Sequence, residues 1–340
     1  MRKFVLALSI YVLGCTSLFA DRGVVVVPLP CTSDPWPSSS NCEIDLGYRR
    51  DELHWEIAGA RTRHDDDKTT YFPNIYSELE WKELNIAMIT GTFCYVSDCN
   101  YAVKVTGDYG QIYSGKNIDS DYAGNNRTRQ WSESVNEAGR GYVCDLSGAV
   151  GYRTTSTGDR CVVTPLFGYS YESQNLHMYD GDQTLCFDQA AAFLDVFIPC
   201  ATGTGPYPGL NSTYTARWFG PWIGMDFGVR VEHCAYLFGG LEWHLASYRG
   251  TGKWNLREDL GPFHHKAHGY GWLATLGGRW EVWRDWDIGI IGHYRNFRTH
   301  HGQERFILHT LEFGTIQGTT RFNHAAWISW DISFLFAWRF

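Results

Sequence analysis

No stretch of this chain approaches the 18 or more continuous apolar residues that a membrane-spanning helix needs. The longest apolar core, Phe4 to Leu13, is too short. A helical membrane protein is therefore excluded. Excess positive charge is also missing. Lys and Arg together number 29 against 37 Asp and Glu, a formal charge of -8, which argues against a nucleic-acid partner. The acids are dispersed along the chain, as expected for polar interiors and loops. No CxxC occurs, and no Cys/His spacing suits zinc, so neither a metal site nor a cofactor is expected from sequence.

What the chain does have is aromatic residues, 16% of the total, with 15 Trp and 20 Tyr. Such rings suit a membrane interface, one end apolar and the other wet. The last eleven residues, Trp330 to Phe340, sharpen this. Trp330, Ile332, Phe334, Phe336, Trp338 and Phe340 alternate with Asp331, Ser333, Leu335, Ala337 and Arg339. Successive strand residues point to opposite faces, so one face is apolar and aromatic. Eleven residues is also about the span of a tilted transmembrane strand. A chain that closes in this way on Phe ends as bacterial outer-membrane barrels end, with Phe340 and its strand as the signal for barrel-assembly machinery.

The same alternation recurs upstream. Tyr101, Val103, Val105, Tyr109 and Tyr113 oppose Lys104, Thr106 and Asp108; Ile223, Met225, Phe227, Val229 and Val231 oppose Asp226 and Arg230. Phe167, Tyr169 and Tyr171 oppose Thr164, Ser170 and Glu172. Leu241, Trp243 and Leu245 oppose Glu242 and His244, and Tyr270, Trp272, Leu276 and Trp280 oppose Thr275 and Arg279. The expected fold is all-β, a transmembrane antiparallel up-and-down barrel of about ten strands, closed because an open sheet edge cannot stand in hydrocarbon. Lys104, Asp108, Glu172, Asp226, Arg230, Glu242, His244 and Arg279 are the expected lumen-lining set, the charges that would sort ions in a pore.

Short turns near Ser97 to Asn100, Thr154 to Asp159, Glu232 to Ala235 and Arg284 to Asp287 alternate with long links. The links run from Arg63 to Asn74, Ser114 to Arg140, Asp180 to Ser212, Arg249 to His268 and His300 to Arg321. Short turns should face the periplasm and long links the exterior.

The N-terminus reads as exported. Arg2 and Lys3 precede the apolar core, and Ala20 precedes Asp21. Residues 1–20 are thus expected to be a signal peptide, 21–43 a Pro- and Ser-rich leader, and 44–340 the barrel. Val12-Leu13-Gly14-Cys15 offers a second reading, lipidation of Cys15. Ten cysteines are unusual in such a barrel, and export favours disulfides. The local pairs expected are Cys31 with Cys42, Cys94 with Cys99 and Cys186 with Cys200, and an odd mature cysteine leaves a thiol free or linked to another chain.

Leu79-Glu80-Trp81-Lys82 with Asn85, Ile89 and Gly91 resembles the second strand of the omptins, ten-stranded outer-membrane barrels that cut peptides between basic residues. Gly168-Tyr169 with Glu172-Ser173, Pro221-Trp222-Ile223-Gly224 and Gly239-Gly240 resemble later omptin strands. The resemblance implies an Asp-x-Asp pair that holds a water and an Asp-x-His pair that activates it. Asp119-Ser120-Asp121 matches the first, in the long link after the Tyr101 strand. The second has no match, since Thr251 to Asp259 holds no His, although His264, His265 and His268 follow. The run Trp254-Asn255-Leu256-Arg257-Glu258-Asp259, the cysteine load and the signal also resemble the Protochlamydia-type outer-membrane proteins of chlamydia-like bacteria. That resemblance implies an envelope barrel, some of which are porins, with disulfide-linked self or envelope partners.

The expectation is therefore an outer-membrane barrel acting as a porin-like pore or a disulfide-stabilised envelope protein. Outer-membrane lipid, lipopolysaccharide included, is the expected partner. An omptin-like endoprotease through Asp119 and Asp121, or an adhesin working through its loops, is the alternative. If the inward charges pair with one another, the barrel is plugged and function moves to the loops.

Overall fold

The computed structural model describes residues 41–65, 68–155, 161–187, 189–190, 197–198, 203–232, 234–310 and 314–340. The signal segment, Cys15, Ala20, Cys31, Cys200 and the leader before residue 41 lie outside the described residues.

Among the described residues, twelve strands build ten staves, and a two-residue strand, Thr154–Thr155, adds to the same sheet. The twelve are β1 (Asn41–Ile57), β2 (Ser77–Val96), β3 (Tyr101–Tyr122), β4 (Gln130–Glu137), β5 (Gly141–Tyr152) and β6 (Cys161–Cys186). Then come β7 (Gly205–Glu232), β8 (Ala235–Lys253), β9 (Phe263–Trp283), β10 (Trp286–Thr299), β11 (Gly302–Thr310) and β12 (Gly314–Arg339). β4 and β5 share one stave between β3 and β6, and β10 and β11 share another between β9 and β12. Every pairing is antiparallel. β12 returns to β1, from Asn41 opposite Arg339 to Ile57 opposite Phe322, and the sheet closes. The omptin-like ten-strand expectation holds, and the first strand begins at Asn41, within the expected leader.

The terminal pattern has the face that its alternation implies. Trp330, Ile332, Phe334, Phe336, Trp338 and Phe340 are exposed on the outer wall, while Asp331, Ser333, Leu335, Ala337 and Arg339 are buried inside. Around the ring, Tyr101, Val105, Tyr109, Leu146, Phe167, Tyr169, Ile223, Leu241, Trp272 and Ile290 continue one apolar band. Only a lipid surface offers such a band a favourable environment, with the polar residues turned inward.

The long links are corrected. Ser114 to Arg140 is mostly strand, because β3 runs on to Tyr122 and β4 starts at Gln130. Likewise β6 reaches Cys186, β9 starts at Phe263, and β11 and β12 occupy most of His300 to Arg321. Beyond the band the outer face no longer needs to be apolar, so the strands continue with the pattern reversed. Leu53, Trp55, Leu79, Trp81, Trp218, Phe322 and Trp327 point inward there and are buried. The loop half of the barrel is built like a soluble barrel set on a membrane one.

Candidate functional site

The barrel interior is stacked in four layers from turn end to loop end. The first is a cavity of about 220 Å³ lined by Lys104, Asp108, Glu172, Asp226, Glu242, His244 and Arg279. Arg230 lies outside that lining, its Nε and Nη2 shielded without a hydrogen-bond acceptor. Several of the charges neutralise one another. Lys104 Nζ donates to Asp226 at 2.8 Å, and Arg279 Nη1 to Glu43 at 3.0 Å. His244 sits between Glu242 and Ser170, 3.1 Å from each.

Above this cavity lies an arginine–carboxylate cage. Arg49, fully buried, donates through Nε and Nη2 to the two oxygens of Asp51 at 2.8 and 2.9 Å, and through Nη1 to Asp145 at 2.6 Å. Asp108 is 3.7 Å away. Arg295 Nη1 donates to Asp331 at 2.6 Å. Asp51 also accepts from Gln174 at 2.7 Å and from the Trp327 indole at 3.2 Å. A planar guanidinium with five donors suits this arrangement in a way an ammonium would not.

The third layer is aromatic. Trp81, Tyr214, Trp218, Tyr248, Phe322 and Trp327 are each 0% exposed, with Trp55 and Phe297 nearly so. Ring centroids are 4.5 Å apart for Trp218 and Tyr248, 5.1 Å for Phe297 and Trp327, and 5.3 Å for Trp81 and Tyr214. Tyr214 Oη lies 2.6 Å from Tyr248 Oη and 2.8 Å from His265 Nδ1. Burial pushes His265 down to about 3, so its imidazole is neutral at physiological pH. These rings pack into one buried cluster between the cage and the loop end.

The fourth layer is a cup of about 500 Å³ at the loop end, beyond the apolar band. Asp119 and Asp121 reach it from β3, where they stand opposite Leu79 and Ser77 of β2. The pair is thus on a strand and not in a loop, because β3 outlasts the membrane. Arg257 and Asp259 enter from the β8–β9 link, with Arg257 Nε and Nη2 donating to the Asp259 carboxylate at 2.8 and 2.7 Å. Glu304 of β11 and the rings of Tyr76, Trp131, Tyr207, Trp254 and Phe263 complete the wall.

Carboxyls outnumber cations here. Burial, then repulsion by Asp121, pushes Asp119 well above the usual carboxylate range. Burial lifts Asp121 to about 6 against the pull of Ser77 and Arg257, and burial lifts Glu304 to about 8. Asp119 Oδ1 and Glu304 Oε2 are shielded from solvent and make no hydrogen bond. Sequence reasoning found the Asp pair but missed Glu304, which carries no motif and lies in a segment read as a link.

The imidazole that the omptin resemblance requires is not delivered by the candidates after Asp259. His264 and His268 are exposed on the outer wall beside Thr251 and Ser247, and His265 is locked to Tyr214 below the cup. Arg257 is the group that acts electrostatically on Asp119 and Asp121.

One cysteine expectation is corrected: Cys94 and Cys99 are free thiols, so Cys94–Cys99 does not form, while Cys42 is also free and its expected partner Cys31 lies outside the described residues. Cys94 lines the turn-end cavity while Cys99 is exposed in the turn beyond β2, so closeness in sequence does not bring the sulfurs together. Cys186 is disulfide-bonded, and its expected partner Cys200 lies outside the described residues.

A solved structure agrees with this architecture. Outer membrane protease OmpT from Escherichia coli is 14% identical, with a TM-score of 0.70 over 91% of this chain and 99% of that one, a likeness of fold. The translocator domain of autotransporter NalP from Neisseria meningitidis is 11% identical over 88% of each chain, with a TM-score of 0.33. A Pseudomonas aeruginosa FadL homologue is 8% identical over 89% of this chain and 90% of that one, with a TM-score of 0.29. The last two are too distant to bear on this site. No curated protein matches the chain in sequence. The family model described as Protochlamydia outer membrane protein matches residues 43–340. This chain belongs to the Protochlamydia outer membrane protein family and is a β-barrel of the outer membrane.

Proposed function

We propose that this barrel is closed to ions and acts at the cell surface, its loop-end cup receiving a cationic group carried by an external partner. One observation carries the reading: a fully buried aromatic layer lies below a cup in which carboxyls are in surplus, and we take that layer as the seal. A porin-like pore needs a continuous wet path, and several of the charges expected to line one are paired below the aromatic layer. Binding is favoured over hydrolysis, because the Arg257 guanidinium acts on the Asp pair, while His309 in the cup wall is engaged by Thr315 and His265 by Tyr214.

A cation entering the cup favours the ionised carboxylates and so displaces their protons. Folded-state values raised to about 6 and about 8 place that exchange in the physiological window. Affinity for a tri-arginine peptide should therefore rise from pH 6 to pH 8. Quenching of the cup tryptophans Trp131 and Trp254 reports it. Asp119→Asn with Asp121→Asn should weaken binding about tenfold, the worth of roughly one charge-assisted contact. Affinity that falls over the same pH range, or that ignores the double substitution, contradicts the reading.

A further inference from the structure

On the outer wall of the loop half, above the apolar band, three strands bring two imidazoles and two carboxylates to one place. Glu56 of β1 stands opposite Glu78 of β2 on one side and His324 of β12 on the other. His54 lies two residues earlier on the same face of β1. Like charges directly opposed across a sheet are destabilising unless a cation holds them. Here that cation is Arg127, which donates from Nη2 to Glu56 at 2.9 Å and from Nε to Glu78 at 2.8 Å. Both carboxyls are ionised in this setting. Burial opposes it, but His54, Tyr122 and Arg127 hold Glu78 at about 2, and His324, Arg127 and His54 hold Glu56 below its ordinary value.

Both imidazoles face the carboxylates, His324 at hydrogen-bonding distance from Glu56. His54 Nε2 is shielded from solvent without a hydrogen bond, 3.6 Å from Glu78 Oε2. His324 Nδ1 is 3.3 Å from Glu56 Oε1, and the two rings meet edge to face with centroids 5.2 Å apart. Donor atoms of His54, Glu56 and Glu78 all lie within 4.8 Å of one another, and His324 stands outside that trio, in reach through its contact with Glu56. A tetrahedral zinc site with bonds near ~2.0 Å needs donors roughly 3.3 Å apart. The two His–Glu contacts stand close to that spacing already.

We propose that His54, Glu56, Glu78 and His324 form a binding site for a zinc-class dication, with Arg127 as the internal cation that the metal displaces. Mixed imidazole and carboxylate donors suit zinc and its neighbours better than calcium or magnesium. Arg127 is free to leave, since its side chain is 46% exposed and it ends the short turn Asn125–Arg127 in a left-handed conformation with φ of 59°. The Asn126-Arg127-Thr128 triplet, a formal glycosylation signal of no expected use in bacteria, thus has a different role. No spacing rule finds this site, because its ligands come from three strands and span 270 residues of sequence.

The test uses the full chain refolded in detergent micelles at pH 7.5, with heat-modifiable gel migration confirming that each variant is folded. Titration with Co²⁺ should give one saturable four-coordinate visible band, and Zn²⁺ should remove it. His54→Ala and His324→Ala should each weaken uptake about tenfold or more, since even an outer-shell partner is worth about tenfold or more. Arg127→Gln should tighten it about tenfold, because the competing cation is gone. A wild-type chain that takes up no Co²⁺ overturns the proposal, whatever Arg127→Gln does. Uptake that both histidine variants leave unchanged means an adventitious ion only, and overturns it as well.

Discussion

Arg49→Met should cost about 3–5 kcal/mol, among the largest single losses this barrel can suffer. The substitution keeps length and removes charge, leaving the carboxyls of Asp51, Asp145 and Asp108 buried together without their shared cation. Taking a paired charge into the interior gains little. Removing one partner of such a pair loses much, because the other is stranded. Denaturant titration in micelles, followed by tryptophan fluorescence, reads the loss. A variant within about 1 kcal/mol of wild type would mean that the three acids are held by something else.

Trp218→Ala is the second large effect, about 3–5 kcal/mol for an emptied core position of this size. Trp218 touches Tyr248, Phe297 and Trp327, with centroids 4.5, 5.7 and 6.3 Å away, so no neighbour can fill the void without abandoning its own packing. The void lies in the aromatic layer proposed as the seal. Unlike Arg49→Met, this change should therefore loosen the separation between the two cavities as well as the fold.

The membrane half was legible in the sequence and the loop half was not, for a physical reason. In β12 the set Trp330 to Phe340 alternates against polar residues, and hydrocarbon enforces that contrast on the outer face. Trp327, three residues from Trp330, has the opposite parity and points inward. Composition alone assigned tryptophan to the interfaces, which suits Trp243, Trp272 and Trp338 on the outer wall but not Trp81, Trp218 or Trp327 in the core. Above the bilayer the outer face is wet, so the apolar side turns in, and nothing local in the sequence marks where the reversal begins.

The site was legible in a similar, partial way. Asp119 and Asp121 stand out because they are two residues apart on one strand. Glu304 joins them only through closure of the ring, and Arg49 meets Asp145 across 96 residues. Alternation assigns a residue to a face. It does not say which distant residue shares that face, and the pairing of inward charges, which decides between an open and a plugged barrel, depends on that.

Conductance tests the central claim most directly. Heat-modifiable wild-type protein, inserted into a planar lipid bilayer at low concentration, should produce no discrete current steps, while Trp218→Ala under the same conditions should produce intermittent ones. Regular, uniform steps from the wild-type chain would mean that a wet path crosses the aromatic layer, and would contradict a closed barrel acting through its outer cup.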